Sequence, residues 1–182
     1  SIQKAVLMNN IALLKARFAK YDRAIELLTK AEALANKINS RQEVISFLCN
    51  RGDIEYKREN YQKSLDIYLS TVPLLKEIGD AEKLATSYNE VGLIYAKMNE
   101  VGKGVKYLTK ALNMRKKMGD IEGEGISENS IGFIHYKNSE YEAAREYFER
   151  AYDIRKKIGN ISGQGFSLHN LGSIHDIMGN YS

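Results

Sequence analysis

The sequence predicts an all-α fold, an α-solenoid in which antiparallel helix pairs form a right-handed superhelix of four full repeats plus the first helix of a fifth. Three observations predict it. The chain has one proline and no tryptophan, and a composition poor in proline favours helix because proline interrupts helices. Apolar residues recur with the helical period. The chain also repeats itself every 40 residues without insertion or deletion.

Columns of equivalent residues define the repeat. One column is small: Ala12, Gly52, Gly92, Gly132 and Gly172. Nine residues later stand Tyr21, Tyr61, Val101, Tyr141 and Tyr181. A second column of small residues contains Ala24, Ser64, Gly104 and Ala144, and a third contains Ala31, Thr71, Ala111 and Ala151. Between these two lies a column of bulky residues, Leu28, Tyr68, Leu108 and Phe148. We therefore expect one array over residues 1–182, with repeats at about 1–40, 41–80, 81–120 and 121–160 and a partial repeat at 161–182.

Each repeat is predicted to contain two helices. In the third repeat, one amphipathic pattern runs from Leu84 to Met98 and a second from Val101 to Met118. The second helices end at glycines where a left-handed cap residue is expected: Gly79, Gly119 and Gly159. The next helix is expected to begin at an N-cap residue, namely Asp80, Asp120 or Asn160, with Asn39 and Ser40 replacing the pair in the first repeat.

The segment NSIGFIHYKNSEYEAAREYFERAYDIRKK, Asn129 to Lys157, strongly resembles a tetratricopeptide repeat. It has Gly132 and Tyr136 on the first helix, Tyr141 at the turn and Phe148 on the second helix. The resemblance covers the whole chain. The 40-residue form, with an IGD-like turn, is similar to Pins-type adaptors and to bacterial signalling proteins with a regulatory repeat array. It is also similar to kinesin light chains and to Rap-type peptide-responsive regulators, and periodicity does not choose among these.

Both ends indicate a fragment of a longer protein. Ser1 is not an initiator residue, and the sequence stops at Ser182, where the second helix of a fifth repeat should begin. Because solenoid repeats bury their faces only against neighbours, we expect apolar surface near Ile174 and Ile177 to be exposed. Self-association through this incomplete C-terminal repeat is the expected consequence.

Each first helix has an apolar core face. Its columns are Ile11, Val91, Ile131, Leu171; Met8, Leu48, Tyr88, Leu168; and Leu14, Ile54, Ile94, Ile134, Ile174. The opposite arc would line a concave groove, as the resemblance implies. The candidate peptide-binding residues on this arc are Asn9, Asn89, Asn129, His169, Tyr56, Phe133, Tyr136, Lys57, Lys97 and Lys137.

The asparagines of this arc form an amide column. Asn9, Asn89 and Asn129 could bond the backbone of a docked segment whatever its sequence, because an amide carries donors and an acceptor. Further asparagines at the arc's edge could extend the column: Asn10, Asn50 and Asn170. The alternative is solvated polar filler. Apolar residues on the same arc favour a binding surface: Phe133, Tyr136, Ile126, Phe166, Leu93 and Tyr56.

Cations follow the same arc and also end the second helices. Arg17, Lys57, Lys97 and Lys137 could complement the helix dipole or recognise acidic side chains, and the sequence favours neither. For the runs from Arg115 to Lys117 and from Arg155 to Lys157, capping of the helix C-terminus is the preferred interpretation.

Composition excludes several classes of protein. The formal charge of +4 with a pI of about 9.0 permits an acidic partner but is too small to indicate nucleic acid. A lone Cys49 forms no internal disulfide, so the cytoplasm is the expected compartment. The sequence contains no run of 18 apolar residues, so we predict no membrane span within it.

No motif indicates chemistry, so we expect no enzymatic activity, no metal and no cofactor. His135 and His175 share a column with Tyr95, which favours packing over metal ligation. The two Gly-x-Gly sequences at residues 123–125 and 163–165 precede helices but lack a leading strand and a GK[ST], so close helix packing is the better explanation.

The sequence therefore predicts a protein-protein interaction scaffold that binds a peptide segment or partner domain in the groove, as the regulatory part of a larger signalling protein. One alternative is a Rap-like sensor of a short signalling peptide. Another, less favoured, is RNA binding along the basic stripe, which needs stacking aromatics that only Tyr56 and Tyr136 supply. The carboxylate clamp of chaperone adaptors is not matched, because Asn9, Thr86 and Glu90 stand where lysines are needed and Leu13 where asparagine is needed.

Overall fold

The computed structural model describes residues 1–179, and within that range it contains nine α-helices and no strand. They are α1 (Ile2–Arg17), α2 (Tyr21–Lys37), α3 (Arg41–Lys57), α4 (Tyr61–Ile78), α5 (Ala81–Lys97), α6 (Val101–Met118), α7 (Ile121–Lys137), α8 (Tyr141–Lys157) and α9 (Ile161–Gly179). The predicted helices of the third repeat are confirmed, with α6 spanning the predicted residues. Tyr181 of the aromatic column lies outside the described residues.

The described helices form two compact units, residues 1–87 and residues 88–179. In the first unit, α2 packs against α1 and α3, and α3 packs against α4. In the second, α7 packs against α6 and α8, and α8 packs against α9. Each helix thus packs mainly on its neighbours in sequence, as expected for repeated helix pairs. Within residues 1–179, no helix is long and apolar enough to cross a membrane.

The predicted helix boundaries between repeats are confirmed. Gly79, Gly119 and Gly159 have φ angles of 72°, 70° and 70°, a left-handed conformation that glycine adopts without steric cost. The predicted N-cap oxygens then accept backbone N–H groups three residues on, at 3.0 Å from Asp80 to Lys83, 2.8 Å from Asp120 to Gly123 and 2.8 Å from Asn160 to Gly163. In the first repeat, Ser40 differs, because its hydroxyl bonds the Glu43 side chain.

The glycine column allows the two helices of a repeat to approach closely. A Cβ atom on Gly92 would lie 2.7 Å from Cγ of Leu108 and 2.9 Å from the backbone oxygen of Gly104. On Gly132, it would lie 2.9 Å from the ring of Phe148. The small and bulky columns of the sequence are therefore complementary parts of one contact.

The predicted core is confirmed along the array and fails at three positions. The isoleucine column is buried at Ile54, Ile94, Ile134 and Ile174. Ile11, Leu14 and Leu168 are exposed instead, although they belong to predicted core columns. Ile11 and Leu14 lie on α1 and Leu168 on α9, and the faces that cover their equivalents in other repeats come from neighbouring helices.

Two core columns contain a charged residue that the periodic pattern did not reveal. Arg51 stands in the column of Val91, Ile131 and Leu171, and its Nη1 atom lies 3.2 Å from Oε2 of Glu32. Among the described residues, Oε1 of Glu32 and Nε of Arg51 are buried without a hydrogen-bond partner. Burial raises the pKa of the Glu32 carboxyl, and the charge of Arg51 only partly opposes this shift.

Glu128 is the second charged residue in a core column. It stands where other repeats have Leu48 or Tyr88, and it is buried. Its two carboxylate oxygens accept from Nε of Arg150 at 3.1 Å and from Nζ of Lys116 at 3.3 Å. Both oxygens therefore have hydrogen-bond partners, whereas Oε1 of Glu32 has none among the described residues. We interpret the Glu128 cluster as structural.

Candidate peptide-binding surface

A small cavity lies on the predicted binding arc of the second unit. It has a volume of about 200 Å³ and is lined by Phe133, Tyr136, Phe148, His169, Asn170 and Ser173. The structure thus brings together three of the predicted site residues, from α7 and α9, with Phe148 of α8 between the two helices. Tyr136 packs edge-on against Tyr141 with ring centroids 5.9 Å apart. An apolar side chain of a partner would fit this cavity.

A cation lies beside the cavity. Nζ of Lys137 is 5.6 Å from the ring centroid of Phe133, within the range of a cation–π contact. The other predicted cations, Arg17, Lys57 and Lys97, are exposed. Exposure is compatible with both of their proposed roles, so recognition of acidic side chains stays a prediction.

The asparagines of the arc hydrogen-bond one another between neighbouring first helices. In the first unit, Nδ2 of Asn50 donates to Oδ1 of Asn9 at 2.7 Å. In the second unit, Nδ2 of Asn170 donates to Oδ1 of Asn129 at 3.2 Å. All three edge asparagines expected to extend the column are therefore bonded to it, because Oδ1 of Asn10 also accepts from Nδ2 of Asn9 at 3.3 Å. The carbonyl oxygens of Asn9 and Asn129 are engaged within the protein, so Asn129 would approach a partner through its N–H₂ group.

The interpretation of Asn89 as a groove residue is wrong. Its side chain is 3% exposed, and its Oδ1 atom is buried without a hydrogen-bond partner among the described residues. A buried amide cannot bond a docked segment, and its removal would change folding stability. The helical wheel placed Asn89 correctly on the arc but could not show how much of the arc neighbouring side chains cover.

Tyr56 of α3 has the same local packing as Tyr136. Its ring packs edge-on against Tyr61, with ring centroids 5.4 Å apart, and Tyr136 packs in the same way against Tyr141 two repeats later. Both tyrosines are half-buried. Tyr56, Lys57 and Asn9 belong to the first unit, whereas the cavity belongs entirely to the second.

Arg115 and Arg155 lie in the last turns of their helices, so capping by their charge stays a prediction, and their side chains also reach the next first helix. Arg115 is 5% exposed, and its Nη1 atom donates to the backbone oxygen of Gly123 at 2.8 Å and to Oγ of Ser127 at 2.9 Å. Arg155 makes the equivalent bonds to the carbonyl of Gly163 and the hydroxyl of Ser167, at 3.0 and 2.7 Å. Each arginine fixes the start of the next first helix.

Three of the four glycines in the Gly-x-Gly sequences are closely packed, as predicted, whereas a Cβ atom on Gly165 would meet nothing within 4 Å. A Cβ atom on Gly123 would overlap Oδ2 of Asp120 and lie 2.8 Å from Cδ of Arg115, and one on Gly163 would lie 2.8 Å from Cδ of Arg155. Glycine leaves room there for the N-cap side chain and for the arginine side chain that passes over the first turn of the helix. The repeated spacing of Arg, Gly and Ser was present in the sequence and could have identified this contact.

The histidine at the end of α7 packs as the aromatic column predicts. The His135 ring stacks on Tyr147 at 5.3 Å and 11°, as Tyr95 stacks on Tyr107 at 5.6 Å and 27°. Its Nδ1 atom is hydrogen-bonded to Glu140. In residues 1–179, no group of three His, Cys, Asp or Glu side chains could hold a metal ion.

The comparison with protein families gives one match. A family model described as tetratricopeptide repeat matches residues 43–117 and 124–182. No curated protein matches the sequence.

Solved structures of repeat proteins are similar over almost the whole chain. One is a Signal Transduction ATPase with Numerous Domains (STAND) protein with a tetratricopeptide repeat sensor from Pyrococcus horikoshii, with 26% identity, a TM-score of 0.85, and 96% of this chain and 27% of that chain covered. BtubC (BKLC) from P. vanneervenii has 17% identity, a TM-score of 0.83, and coverage of 96% and 72%. A Rap protein complexed with Competence and Sporulation Factor has 14% identity, a TM-score of 0.82, and coverage of 98% and 50%. The last two likenesses show the fold alone, and the predicted class, an all-α repeat solenoid, is confirmed.

Proposed function

The chain belongs to the tetratricopeptide repeat family, and on that premise we propose that it is a protein-interaction scaffold that binds a peptide segment or partner domain at the surface formed by α7 and α9. The observation that carries this proposal is the cavity, because it places Phe133, Tyr136 and His169 around one space beside the amides of Asn129 and Asn170. Apolar walls with few polar groups at the rim are typical of peptide-binding sites.

The charges near the cavity favour an acidic partner. Lys137 lies against Phe133, and Arg155 donates to Asn129 at 3.3 Å. A carboxylate next to the apolar side chain would therefore meet positive charge. The bound segment that fits best has one large apolar residue followed or preceded by an acidic residue.

Filling the cavity should abolish peptide binding without unfolding the protein. His169 is exposed, so His169→Trp adds a large side chain at the cavity without disturbing the core. We expect peptides selected by phage display on the wild-type protein to contain a large apolar residue and to bind the variant at least about tenfold more weakly, a loss of about 1.4 kcal/mol.

The control for this experiment is Phe18→Trp, because Phe18 is an exposed aromatic residue directly after α1 in the first unit. Binding to this control should equal binding to the wild type. Equal binding to His169→Trp would instead place the functional surface elsewhere.

The alternative function is a sensor of a short free signalling peptide. It is favoured by the similarity, at 26% identity, to the STAND protein with a tetratricopeptide repeat sensor. A sensor should change shape on binding, so the radius of gyration from small-angle X-ray scattering should shift when the selected peptide is added. A scaffold should bind the same peptide with an unchanged scattering profile.

We also propose self-association through α9. The expected exposure near Ile174 and Ile177 needs correction, because Ile174 is 1% exposed and packs against Ala144 and Phe148 of α8, and Ile177 is half-buried. The exposed large apolar residues of α9 are Ile161, Phe166 and Leu168, at 81%, 66% and 53%. Leu168 borders a cleft of about 650 Å³ that also includes Leu171, Gly172, Ile174 and Met178. An apolar helix of a second molecule would cover this cleft.

A charge in this cleft should prevent self-association. We expect the wild-type protein to form concentration-dependent oligomers in sedimentation velocity, and we expect Leu168→Glu to remain monomeric because a carboxylate would have to be desolvated in the contact. Ile121→Glu, at an exposed residue of α7, is the control and should associate like the wild type. The proposal would be contradicted if the wild-type protein stayed monomeric at about 0.5 mM, near the upper working range of the method.

A further inference from the structure

The amide pair at the cavity has one polarity, and Arg155 contacts the oxygen atom that defines it. Nη1 of Arg155 lies 3.3 Å from Oδ1 of Asn129, in addition to its bonds to Gly163 and Ser167. A guanidinium group only donates hydrogen bonds, so the atom of Asn129 that faces it must be the carbonyl oxygen. The Nδ2 group of Asn129 therefore points away from Arg155.

The orientation of Asn170 follows from that of Asn129. Asn170 lies 3.2 Å from the same Oδ1 atom, and only its Nδ2 group can donate there. Its own Oδ1 atom is left on the opposite side of the amide, and Asn170 lines the cavity. The pair thus presents one donor, from Asn129, and one acceptor, from Asn170.

Accepting the function proposed above, we propose that Arg155 is a positioning residue that sets this polarity, so that Asn129 and Asn170 bind the backbone C=O and N–H of one residue of an extended segment, which point to the same side of the chain. Nδ2 of Asn129 donates to the carbonyl oxygen of that residue, and Oδ1 of Asn170 accepts from its N–H. The cavity beside them takes the apolar side chain of the same residue. Arg155 acts through the two amides and does not touch the segment itself.

The surroundings of Arg155 hold it in place. The side chain is half-buried, and burial lowers its pKa without removing its charge at neutral pH. Its path over α9 depends on Gly163, where a Cβ atom would lie 2.8 Å from Cδ of Arg155. The equivalent amide pair of the first unit, Asn9 and Asn50, has the same polarity with Ala35 in the column of Arg155. There Nδ2 of Asn9 donates to Oδ1 of Asn10 at 3.3 Å, so that amide is oriented by a neighbouring side chain instead of an arginine.

The first experiment uses the protein without a ligand. Hydrogen exchange of the Asn170 side-chain amide is measured by NMR in the wild type, in Arg155→Met and in Arg115→Met. We expect about tenfold faster exchange in Arg155→Met, since Asn129 is free to rotate once the guanidinium is gone. Arg115→Met removes the equivalent arginine one repeat earlier and should leave Asn170 unchanged. Equal exchange in wild type and Arg155→Met overturns the role of Arg155.

A second variant separates polarity from folding. Asn129→Asp keeps an oxygen acceptor for Arg155 and Asn170 but removes the donor. Its melting temperature should equal or exceed that of the wild type, because Arg155 gains a charged partner. Ser167→Ala is the structural control, since it removes one bond of Arg155 and leaves the amide pair intact.

The probes are the blocked pentapeptide acetyl-Ala-Ala-Leu-Glu-Ala-amide, which has an apolar residue followed by an acidic residue, and its N-methyl-leucine form. Both are titrated while the side-chain amide signals of Asn129 and Asn170 are followed. We expect the first peptide to shift both signals in the wild type and in Ser167→Ala, and to bind Asn129→Asp about tenfold or more weakly. The methylated peptide, which lacks the N–H for Asn170, should show a similar loss.

Equal binding of the first peptide by wild type and Asn129→Asp would overturn the proposed bonds of Asn129 and Asn170 to the peptide backbone. If neither peptide shifts the wild-type signals, the proposal that a peptide binds at this cavity is wrong, and the proposed backbone bonds are wrong with it. The exchange measurement decides separately whether Arg155 sets the polarity.

Discussion

Replacing Arg51 by isoleucine should lower the free energy of unfolding by about 3 to 5 kcal/mol, the usual cost of removing one partner of a buried ion pair. Glu32 would then keep a buried carboxylate without its cation. The carboxylate is 9% exposed, and one of its oxygens already lacks a hydrogen-bond partner. Chemical denaturation followed by circular dichroism measures the effect.

Replacing both partners should have the opposite effect. The equivalent residues two repeats later are Leu112 and Ile131, which pack in one apolar cluster. Glu32→Leu with Arg51→Ile copies that pair, and we expect it to be about 1 to 4 kcal/mol more stable than the wild type, because two charges no longer need to be desolvated. A double variant less stable than Arg51→Ile alone would mean that the site cannot accommodate the apolar pair.

The advantage of the double variant should depend on pH. Burial raises the pKa of Glu32 above its ordinary value of 4.5, so the folded protein binds that proton more tightly than the unfolded chain. The carboxyl therefore destabilises the wild type progressively as the pH rises from its unfolded pKa through the raised folded value. The double variant should therefore exceed the wild type in unfolding free energy by less at pH 4 than at about pH 7. An equal difference at both pH values would mean that the pKa shift of Glu32 does not cause it.

Gly92→Ala should lower the free energy of unfolding by about 2 to 3 kcal/mol, near the upper end for overpacking. The added methyl group would overlap the buried side chain of Leu108 and the backbone oxygen of Gly104, and a helix backbone cannot yield locally. This cost exceeds the gain of up to about 1 kcal/mol that alanine brings to a helix. The midpoint and slope of urea denaturation give the value.

Gly172→Ala is the matched control, because it belongs to the same column and a Cβ atom there would meet nothing within 4 Å. Only the helix preference then acts, and we expect stability to rise by about 0.5 to 1 kcal/mol. Equal effects of the two substitutions would mean that the glycine column reflects something other than close approach of the helices.

The sequence determined the fold because the repeat is exact in length. Nine helix positions, the left-handed caps at Gly79, Gly119 and Gly159, and the contact of the glycine column with the second helix all follow from columns spaced 40 residues apart. Periodicity reports which residues share a face, and for Phe133, Tyr136 and His169 that was sufficient to predict one side of the cavity.

Only the tertiary structure decided which polar residues are covered and what they bond. Asn89 and Asn129 share a column, yet one is buried and the other is held by Arg155 and Asn170. A column gives the direction of a side chain from its own helix, whereas burial and hydrogen bonding depend on side chains that reach over from neighbouring helices. Arginine at the end of a second helix can therefore look like a C-terminal cap in sequence and still fix the next helix in the structure, because its long side chain spans the distance between them.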